Sequence, residues 1–234
     1  MTLPPSEQPV DVPVSAAIGL LARQGFDATS VEELAEASGM SRSTFFRRFG
    51  SKEDVVFADH ERILQQVRER LAQSTLEPLA AVADAALLVF NHHLRNRETS
   101  RARYGLLQAV PALRDRELVT SHRYEREFLT YLNGTLPSEG RGEFAAVAFA
   151  AAVVAVHNAF LREWLRAPAQ EDADALDRKR TAALARELRT LAETFRPALL
   201  GAVPAQPAPT VVVTVLPGPA DKDAIAKAVL DALP

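Results

Sequence analysis

One stretch, residues 26–54, constrains the fold of this chain more than any other. It reads FDATSVEELAEASGMSRSTFFRRFGSKED. Ser30 followed by Glu33 is a capping-box pattern, which predicts that a helix begins directly after Ser30. Gly39 suits the left-handed residue that ends such a helix, and Ser41 can cap the next helix only two residues later. Two short helices joined by so tight a turn are typical of a helix-turn-helix.

The second of these helices has the residue pattern of a DNA-binding surface. Phe45 and Phe49 lie four residues apart and are predicted to pack against the first helix. The opposite face then presents two arginines, a serine and an aromatic ring: Arg42, Ser43, Phe46 and Arg47. Arginine matches the geometry of guanine and of phosphate, and a hydroxyl can bond to either, so this face suits a major groove. A small helical hairpin with a solvated basic face is the alternative.

A third helix is predicted to open at Gly50, Ser51 and Lys52, with free amides that suit a phosphate. The predicted DNA-binding residues come from all three helix starts and from the exposed face. They are Thr29, Ser30, Arg42, Ser43, Thr44, Phe46, Arg47, Arg48 and Lys52.

The run TSVEELAEASGMSRSTFFRRFGSKEDVV resembles the DNA-binding domain of the TetR (tetracycline repressor-like) family of transcriptional regulators. The resemblance covers residues 13–58, where the spacing, the turn glycine, the serine cap and the Gly-Ser-Lys all match together. It implies an all-helical homodimer whose larger C-terminal part binds a small molecule and then releases DNA. The family usually has a tyrosine at the position of Phe46, and its hydroxyl commonly meets a DNA phosphate. Phe46 can keep the packing but not that hydrogen bond.

The distribution of charge supports a DNA partner although the net charge is -3. Residues 1–60 contain five basic side chains against nine acidic ones, but four of those five lie in residues 41–52, which contain no acid. Affinity for DNA depends on the charges that reach the phosphates. A concentrated basic patch on an acidic protein can therefore bind one groove.

The absence of cysteine excludes disulfides, thiolate metal sites and a cysteine nucleophile, and it fits a cytoplasmic protein. The longest apolar run, residues 144–156, has 13 residues, which is too short to span a bilayer. We therefore expect no membrane partner.

The histidines give no metal-binding pattern. His92 and His93 are adjacent, about 100° apart on a helix, so they cannot chelate as an i, i+4 pair would. His122 and His157 are isolated in the sequence, and His60 is interpreted as a half-buried histidine bonded to a neighbour rather than as a sensor. We expect no metal and no cofactor.

The sequence also lacks the signatures of common catalytic sites. There is no Gly-x-Ser-x-Gly elbow, no Gly-rich loop for phosphate and no pair of carboxylates in an apolar setting. We therefore expect no catalytic residues and no enzyme activity. An enzyme with a helical fold and a DNA-binding structural protein without a ligand are the rival hypotheses.

Helical periodicity continues beyond the helix-turn-helix. A helix over 51–73 is predicted to bury one seam formed by Phe57, His60, Leu64, Val67 and Leu71. Further helices are predicted over 79–94, 100–110, 113–133, 143–166 and 174–195. The helix over 143–166 is apolar all round in its first half and must be covered on most sides. In the family that the chain resembles, the last two helices form the dimer as a four-helix bundle.

The predicted fold class is all-α, with a three-helix helix-turn-helix domain and a C-terminal helical ligand-binding and dimerisation domain. The predicted division is a disordered arm (1–12), the DNA-binding domain (13–58), the helical domain (59–200), a proline-rich linker (201–209) and a tail (210–234). The tail begins with TVVVTVLPG, which predicts a short strand followed by a helix. No second convincing strand is present to pair with it.

The resemblance also implies a small-molecule pocket enclosed by the helices over 79–94, 113–133 and 143–166. Its predicted lining is Phe90, His93, Tyr104, Gln108, Phe128, Tyr131, Phe149, Val153, His157 and Phe160. These side chains favour an apolar or amphipathic ligand, such as a fatty acyl or aromatic compound. The predicted function is a repressor that binds a palindromic operator as a dimer; a regulator without an inducer, or an activator, is the alternative.

Overall fold

The structure, a computed structural model, describes residues 12–137, 144–168 and 173–201. These ranges contain helices and connecting turns, and no strand. In chain order the helices are α1 (Val12–Gln24), α2 (Val31–Ala37), α3 (Arg42–Phe49), α4 (Lys52–Ala72), α5 (Pro78–Arg95), α6 (Arg97–Ala109), α7 (Pro111–Thr135), α8 (Ala145–Arg166) and α9 (Ala173–Leu200). The all-α prediction is confirmed. The predicted arm (apart from Val12), the linker after Gly201 and the tail lie outside the described residues.

The predicted caps of the helix-turn-helix are present. The Ser30 hydroxyl accepts a hydrogen bond from the Glu33 amide at 3.2 Å, and the Glu33 carboxylate accepts one from the Ser30 amide at 2.8 Å. Gly39 has a φ of 68°, the left-handed conformation that the turn requires. The Ser41 hydroxyl caps α3 by accepting from the Thr44 amide at 3.2 Å. Local hydrogen bonds therefore fix both ends of the turn.

A small hydrophobic cluster joins α1, α2 and α3 to the start of α4 and to α6. Leu106 and Leu107 of α6 are buried in it, although they lie far from the other members in sequence. The Ser15 hydroxyl also hydrogen bonds with the Thr99 hydroxyl at 2.6 Å, which links α1 to the start of α6. The helix-turn-helix thus packs against a helix that comes after the predicted boundary at residue 58.

A larger hydrophobic cluster is built from α4, α5, α7, α8 and α9. The predicted seam of α4 is confirmed: Leu64, Val67 and Leu71 are buried in this cluster, while Phe57 is buried in the smaller one. The helix α4 therefore contributes its start to one cluster and its remainder to the other. A displacement of α4 would therefore change the packing of both hydrophobic clusters.

Two predicted helix ends are wrong. The helix α7 continues through Gly134 to Thr135, since a glycine in the last turn costs only about 1 kcal/mol relative to alanine. The helix α9 continues through Pro197 to Leu200 and ends at Gly201, which has a φ of 82°. Pro197 removes one backbone donor near the end of the helix, and packing of the buried Leu199 against the larger cluster offsets that loss.

The helix α8 combines high apolarity with incomplete burial. An 18-residue window in it has a mean hydropathy of 1.6, and 33% of that window is buried. Among the described helices it alone is long and apolar enough to cross a membrane, a criterion that core helices of soluble proteins also meet. The sequence count of 13 apolar residues understates the apolar length, because Ala159, Phe160 and Leu161 follow after two polar residues.

Trp164 anchors the end of α8 to α6 and α9. Its indole Nε1 donates to Asp177 of α9 at 3.0 Å, and Asp177 also accepts from Arg97 of α6 at 2.6 Å. Arg101 lies over the indole ring at 5.4 Å and donates to the Ala167 carbonyl at 2.8 Å. The start of α6 is thereby fixed to the C-terminal helices, while its end packs with α1.

Candidate functional site

The exposed face of α3 contains the residues that the sequence predicts to contact DNA. Phe45 and Phe49 are buried with their rings 5.0 Å apart, which orients the helix on the small cluster. Arg42, Ser43 and Arg47 are exposed on the other side. Local caps and two buried phenylalanines are thus sufficient to present a basic helix face to solvent.

Phe46 lies on that face with 40% of its surface exposed. Its ring contacts Phe45 edge-on, with ring centroids 6.2 Å apart, and the Arg42 guanidinium lies over it at 5.4 Å. Arg42 also forms an ion pair with Glu32 of α2 at 2.7 Å. The Phe46 ring therefore packs against the Arg42 guanidinium, and in the absence of DNA this guanidinium is paired with the Glu32 carboxylate.

Two of the predicted DNA contacts are engaged within the domain. Thr29 is buried, and its hydroxyl donates to the Gly25 carbonyl at 2.7 Å. The Lys52 ammonium donates to the carbonyls of Phe26 at 2.6 Å and Thr29 at 3.2 Å, and it lies 4.5 Å from the centre of the Phe26 ring. The Thr29 hydroxyl thus bonds within the loop between α1 and α2, and Lys52 joins that loop to the start of α4.

The remaining predicted residues of this surface are polar and belong to helix ends. Ser30 is exposed at the cap of α2, and the Thr44 hydroxyl accepts from the Ser41 hydroxyl at 3.0 Å. Arg48 is exposed and lies over the Phe49 ring at 5.1 Å. On α3 itself the exposed predicted residues are Arg42, Ser43, Phe46, Arg47 and Arg48, hereafter called the α3 face.

A cavity of about 70 Å³ lies between α4, α5, α6, α7 and α8. Four of the predicted lining residues border it: His93, Tyr104, Phe128 and His157. Phe90, Phe149 and Val153 are buried core residues instead, Tyr131 and Phe160 pack against that core, and Gln108 is exposed on α6. Three of the five helices around this cavity, α5, α7 and α8, are those that the sequence predicted to enclose a pocket; α4 and α6 were not among them.

The sequence reasoning missed several polar side chains that line the cavity: His60, Ser100, Arg103, Tyr124 and Asn158. A signal for one of them was present. Arg103 occupies the same face of α6 as Thr99, Leu106 and Leu107, at helical spacing, so a buried arginine could have been inferred there.

Arg103 forms a buried ion pair with Asp59 of α4, with 2.6 Å between Nη2 and Oδ1. Its Nε donates to the Val56 carbonyl at 2.8 Å, so one side chain joins α6 to the start of α4. His92 Nε2 lies 3.8 Å from the second Asp59 oxygen. Burial by itself raises the pKa of Asp59, but Arg103 and His92 hold that pKa well below its usual value.

Four of the five histidines meet beside this ion pair, although His60 and His157 lie far from His92 and His93 in the sequence. The ring of His93 lies 6.0 Å from that of His60, 5.9 Å from that of His92 and 6.4 Å from that of His157. Burial lowers the pKa of His60 and of His157 to about 4, and it holds the pKa of His93 well below its usual value. These rings are therefore neutral at pH 7.

The predicted interpretation of His60 as a bonded core histidine agrees with its position, since its Nδ1 lies 3.0 Å from the Tyr124 hydroxyl. His157 is not isolated in the folded chain, as its sequence position had suggested. In the part of the chain that the structure describes, no group of three or more His, Asp or Glu is placed to hold a metal ion. The polar cluster is an internal hydrogen-bonded network next to an apolar cavity.

Comparisons with known proteins gave a match to one family model and matches to solved structures of repressors. The family model described as "Bacterial regulatory proteins, tetR family" matches residues 14–58. No curated protein matches the chain. Among solved structures, NalD, the secondary repressor of the MexAB-OprM multidrug efflux pump in Pseudomonas aeruginosa, has 19% identity and a TM-score of 0.51 over 81% of this chain and 95% of NalD.

MexZ, a repressor responsible for antibiotic resistance in Pseudomonas aeruginosa, has 19% identity and a TM-score of 0.51 over 81% of this chain and 96% of MexZ. Such likenesses show that the fold is shared over most of the described helices. The match over α1, α2 and α3 covers the same residues that form the capped turn and the α3 face. Residues 14–58 therefore form a DNA-binding domain of the TetR type, which supports a DNA-binding transcriptional regulator.

Proposed function

We propose that this regulator binds a palindromic operator as a homodimer, acts as a repressor, and is released by an apolar or amphipathic small molecule. The observation that carries the proposal is the α3 face, on which exposed arginines flank a half-exposed aromatic ring. In helix-turn-helix proteins the second helix lies in the major groove and its first residues contact base edges. The proposed site of action is the cytoplasm, where the DNA lies.

Within that surface we propose a division of roles. Arg42, Ser43 and Arg47 are the candidates for base contacts, because they share the exposed side of α3. Arg48, Thr44 and Ser30 are the candidates for phosphate contacts. Thr29 and Lys52 act on DNA binding through the loop that they hold, since their polar atoms are bonded to carbonyls of that loop.

The proposed dimer forms through α8 and α9. Phe144 and Val147 at the start of α8 are 68% and 49% exposed, which is unusual for large apolar side chains in a helix of this apolarity. A second copy would cover them, and a two-fold operator requires a two-fold protein. The division into a DNA-binding domain over 13–58 and a ligand-binding and dimerisation domain over 59–200 is part of the same proposal.

Ala151→Asp tests the dimer. In a dimer the new carboxylate would be buried without a partner, at a cost of about 3–5 kcal/mol. Sedimentation velocity at micromolar concentration should show a dimer for the wild type and a monomer for this variant. Ala72→Asp, at the exposed end of α4, is the matched control and should remain dimeric. A stable wild-type monomer at that concentration would refute this part of the proposal.

Release by a ligand follows from the size and the walls of the cavity. An apolar cavity that holds benzene has about 150 Å³, whereas this one has about 70 Å³. A ligand must therefore displace the walls, which include Phe57 and His60 of α4 and Arg103 of α6. Arg103 donates a hydrogen bond to the Val56 carbonyl of α4, and α4 follows α3 directly in the chain. Displacement of the cavity walls would therefore move the α3 face. Two such faces fit DNA only when they are about 34 Å apart.

The decisive experiment is selection of bound fragments from genomic DNA of the source organism, followed by footprinting. The expected result is a short inverted repeat protected on both halves by the wild type. Loss of all sequence preference would favour a DNA-binding structural protein instead. Transcription assays on the selected promoter, with and without extracts of small molecules, then distinguish an inducible repressor from an activator and from a regulator without an inducer.

A further inference from the structure

His157 of α8 borders the cavity and has one ring nitrogen without a partner. Its Nδ1 lies 3.1 Å from Oδ1 of Asn158, and Asn158 in turn donates from Nδ2 to the Ser121 hydroxyl at 3.2 Å. An amide oxygen can only accept, so Nδ1 carries the ring proton and Nε2 is left as an acceptor. Within the described residues, this buried Nε2 has no hydrogen-bond partner.

The other polar groups around the cavity are already bonded to one another. Three pairs account for half of them: His60 with Tyr124 at 3.0 Å, His93 with Ser100 at 3.3 Å, and Arg103 with Asp59 at 2.6 Å. The Thr120 hydroxyl donates to the Arg116 carbonyl at 3.0 Å. A polar group on a bound molecule would therefore find its unmatched partner at His157.

The cavity has no surplus charge with which to hold an ion. The charge of Arg103 is neutralised by Asp59, and Glu117 at the cavity lies 4.0 Å from Arg162. The rest of the wall is largely apolar and includes Phe57, Val89, Phe128 and Val154. An ionic molecule would lose its hydration there without gaining a charged partner.

We propose that the cavity takes a neutral, mainly apolar molecule whose hydroxyl or N–H group donates a hydrogen bond to His157 Nε2. This inference rests on the proposed ligand cavity and specifies the chemical class of its occupant. Leaving a buried acceptor unpaired costs free energy, and a donor on the ligand recovers it. A carboxylate would instead place its oxygens against the lone pair of Nε2.

Three probes of similar size test this: phenol, which donates; anisole, its methyl ether, which does not; and benzoate, which is an anion. Binding to the full-length protein is measured by calorimetry at pH 7.5 without DNA. Phenol should bind at least about tenfold more tightly than anisole, the ratio expected for one buried hydrogen bond. Benzoate should bind most weakly. Equal affinities for phenol and anisole, tighter binding of benzoate, or no binding of phenol up to 10 mM (about ten-thousandfold weaker than a micromolar ligand) would overturn the proposal.

His157→Phe keeps an aromatic ring but removes the hydrogen-bond acceptor. The affinity of this variant for phenol should therefore fall to its affinity for anisole. His122→Phe makes the same change at an exposed histidine of α7 and should keep the preference. Should His157→Phe fail to fold, imidazole ¹⁵N spectra of the wild type give the same answer. Phenol should shift the Nε2 resonance of His157, and anisole should not; an Nε2 resonance insensitive to phenol would overturn the proposal.

The binding assay contains no operator, so its failure is distinguishable from failure of the proposed function. A preference for phenol that leaves operator affinity unchanged would support the ligand class and remove the inducer from the proposed function. Release of the operator by apolar compounds with no preference for a donor would leave the proposed function intact and overturn the role of His157.

Discussion

Two arginine–carboxylate pairs in this protein have almost the same length but lie in opposite surroundings. Arg42 and Glu32 on the DNA-binding side are 2.7 Å apart, with side chains 65% and 61% exposed. Arg103 and Asp59 beside the cavity are 2.6 Å apart, with side chains 6% and 0% exposed. An exposed pair contributes about 0–1 kcal/mol, because water competes for both ions. Breaking a buried pair costs about 3–5 kcal/mol, because the remaining ion has no solvent.

This difference in solvent exposure gives the two ion pairs different roles. Arg42 can leave Glu32 at little cost when a DNA phosphate or base replaces the carboxylate. Arg103 cannot leave Asp59, so it fixes α6 to the start of α4 with the Val56 carbonyl as a second contact. The surface pair is suited to exchange of partners, and the buried pair is suited to transmission of a displacement between the cavity and the α3 face.

The largest expected effect comes from Asp59→Ala. The Arg103 guanidinium would remain buried without its carboxylate, so the free energy of unfolding should fall by about 3–5 kcal/mol. Urea denaturation at one fixed protein concentration measures it. Glu32→Ala, the matched change in the exposed pair, should cost less than about 1 kcal/mol.

The double variant Asp59→Leu with Arg103→Met sharpens the comparison. Removing both ions leaves no charge buried alone, so it should be more stable than Asp59→Ala by several kcal/mol. Its operator affinity should respond less to any ligand, because the link between α6 and α4 is gone. A double variant as unstable as Asp59→Ala would mean that packing, rather than the unpaired charge, accounts for the loss.

The two regions also differ in how far they follow from the sequence. The α3 face is local: Ser30, Gly39 and Ser41 fix the turn, and the spacing of two phenylalanines orients the helix. Each signal lies within a few residues of the structure that it specifies. The polar cluster is assembled from α4, α5, α6, α7 and α8, and no local pattern states which faces of five helices meet.

Particular residues illustrate that limit. The periodic seam correctly identified Phe57, Leu64 and Leu71 as buried, since amphipathic spacing is a property of one helix. The same periodicity could not show that His93 and His157, from different helices, would approach to 6.4 Å. It also could not show that Lys52 would donate to carbonyls of the loop after α1 rather than stay free for a phosphate.

Acid should weaken the cavity region through His157. Its pKa is about 4 in the folded protein and about 6.5 in the unfolded chain. Between these values the unfolded chain binds a proton that the folded protein does not, so stability falls as the pH falls from 6.5 to 4. The contribution of His157 is about 3 kcal/mol over that window, and none of it appears above pH 6.5.

Urea denaturation of the wild type and of His157→Gln at pH 7.5, 6, 5 and 4.5 tests this expectation. The variant should lose less stability than the wild type on acidification, by an amount that grows toward pH 4. His122→Gln, at an exposed site, controls for the substitution itself. Parallel pH profiles for the wild type and His157→Gln would show that His157 is not kept neutral by the fold.

On the DNA-binding side, Arg47→Ala should cost about 1–3 kcal/mol on the operator and relax the preference at one base pair. The protein should stay folded, because Arg47 is exposed. Isotherms on operator and scrambled DNA separate loss of specificity from loss of general affinity. Arg126→Ala, an exposed arginine of α7, should leave both unchanged; an equal loss on both DNAs for Arg47→Ala would make it a phosphate contact.

The smallest and most discriminating change is Glu32→Gln. It keeps the size of the side chain and removes the charge that holds Arg42, so stability should change by less than about 1 kcal/mol. Operator affinity should rise a few-fold at low salt, because Arg42 no longer has to leave a carboxylate and one acid is removed near the phosphates. The gain should shrink at high salt, since exposed charges are screened within about 8 Å at physiological ionic strength.

Glu36→Gln on the same short helix removes an exposed acid that is not bonded to Arg42 and measures the general effect of charge. The difference between the two variants is then the cost of releasing Arg42. Equal gains in operator affinity for the two variants would show that the ion pair with Glu32 does not restrain Arg42. Only the buried pair of Arg103 and Asp59 would then have a role in DNA binding.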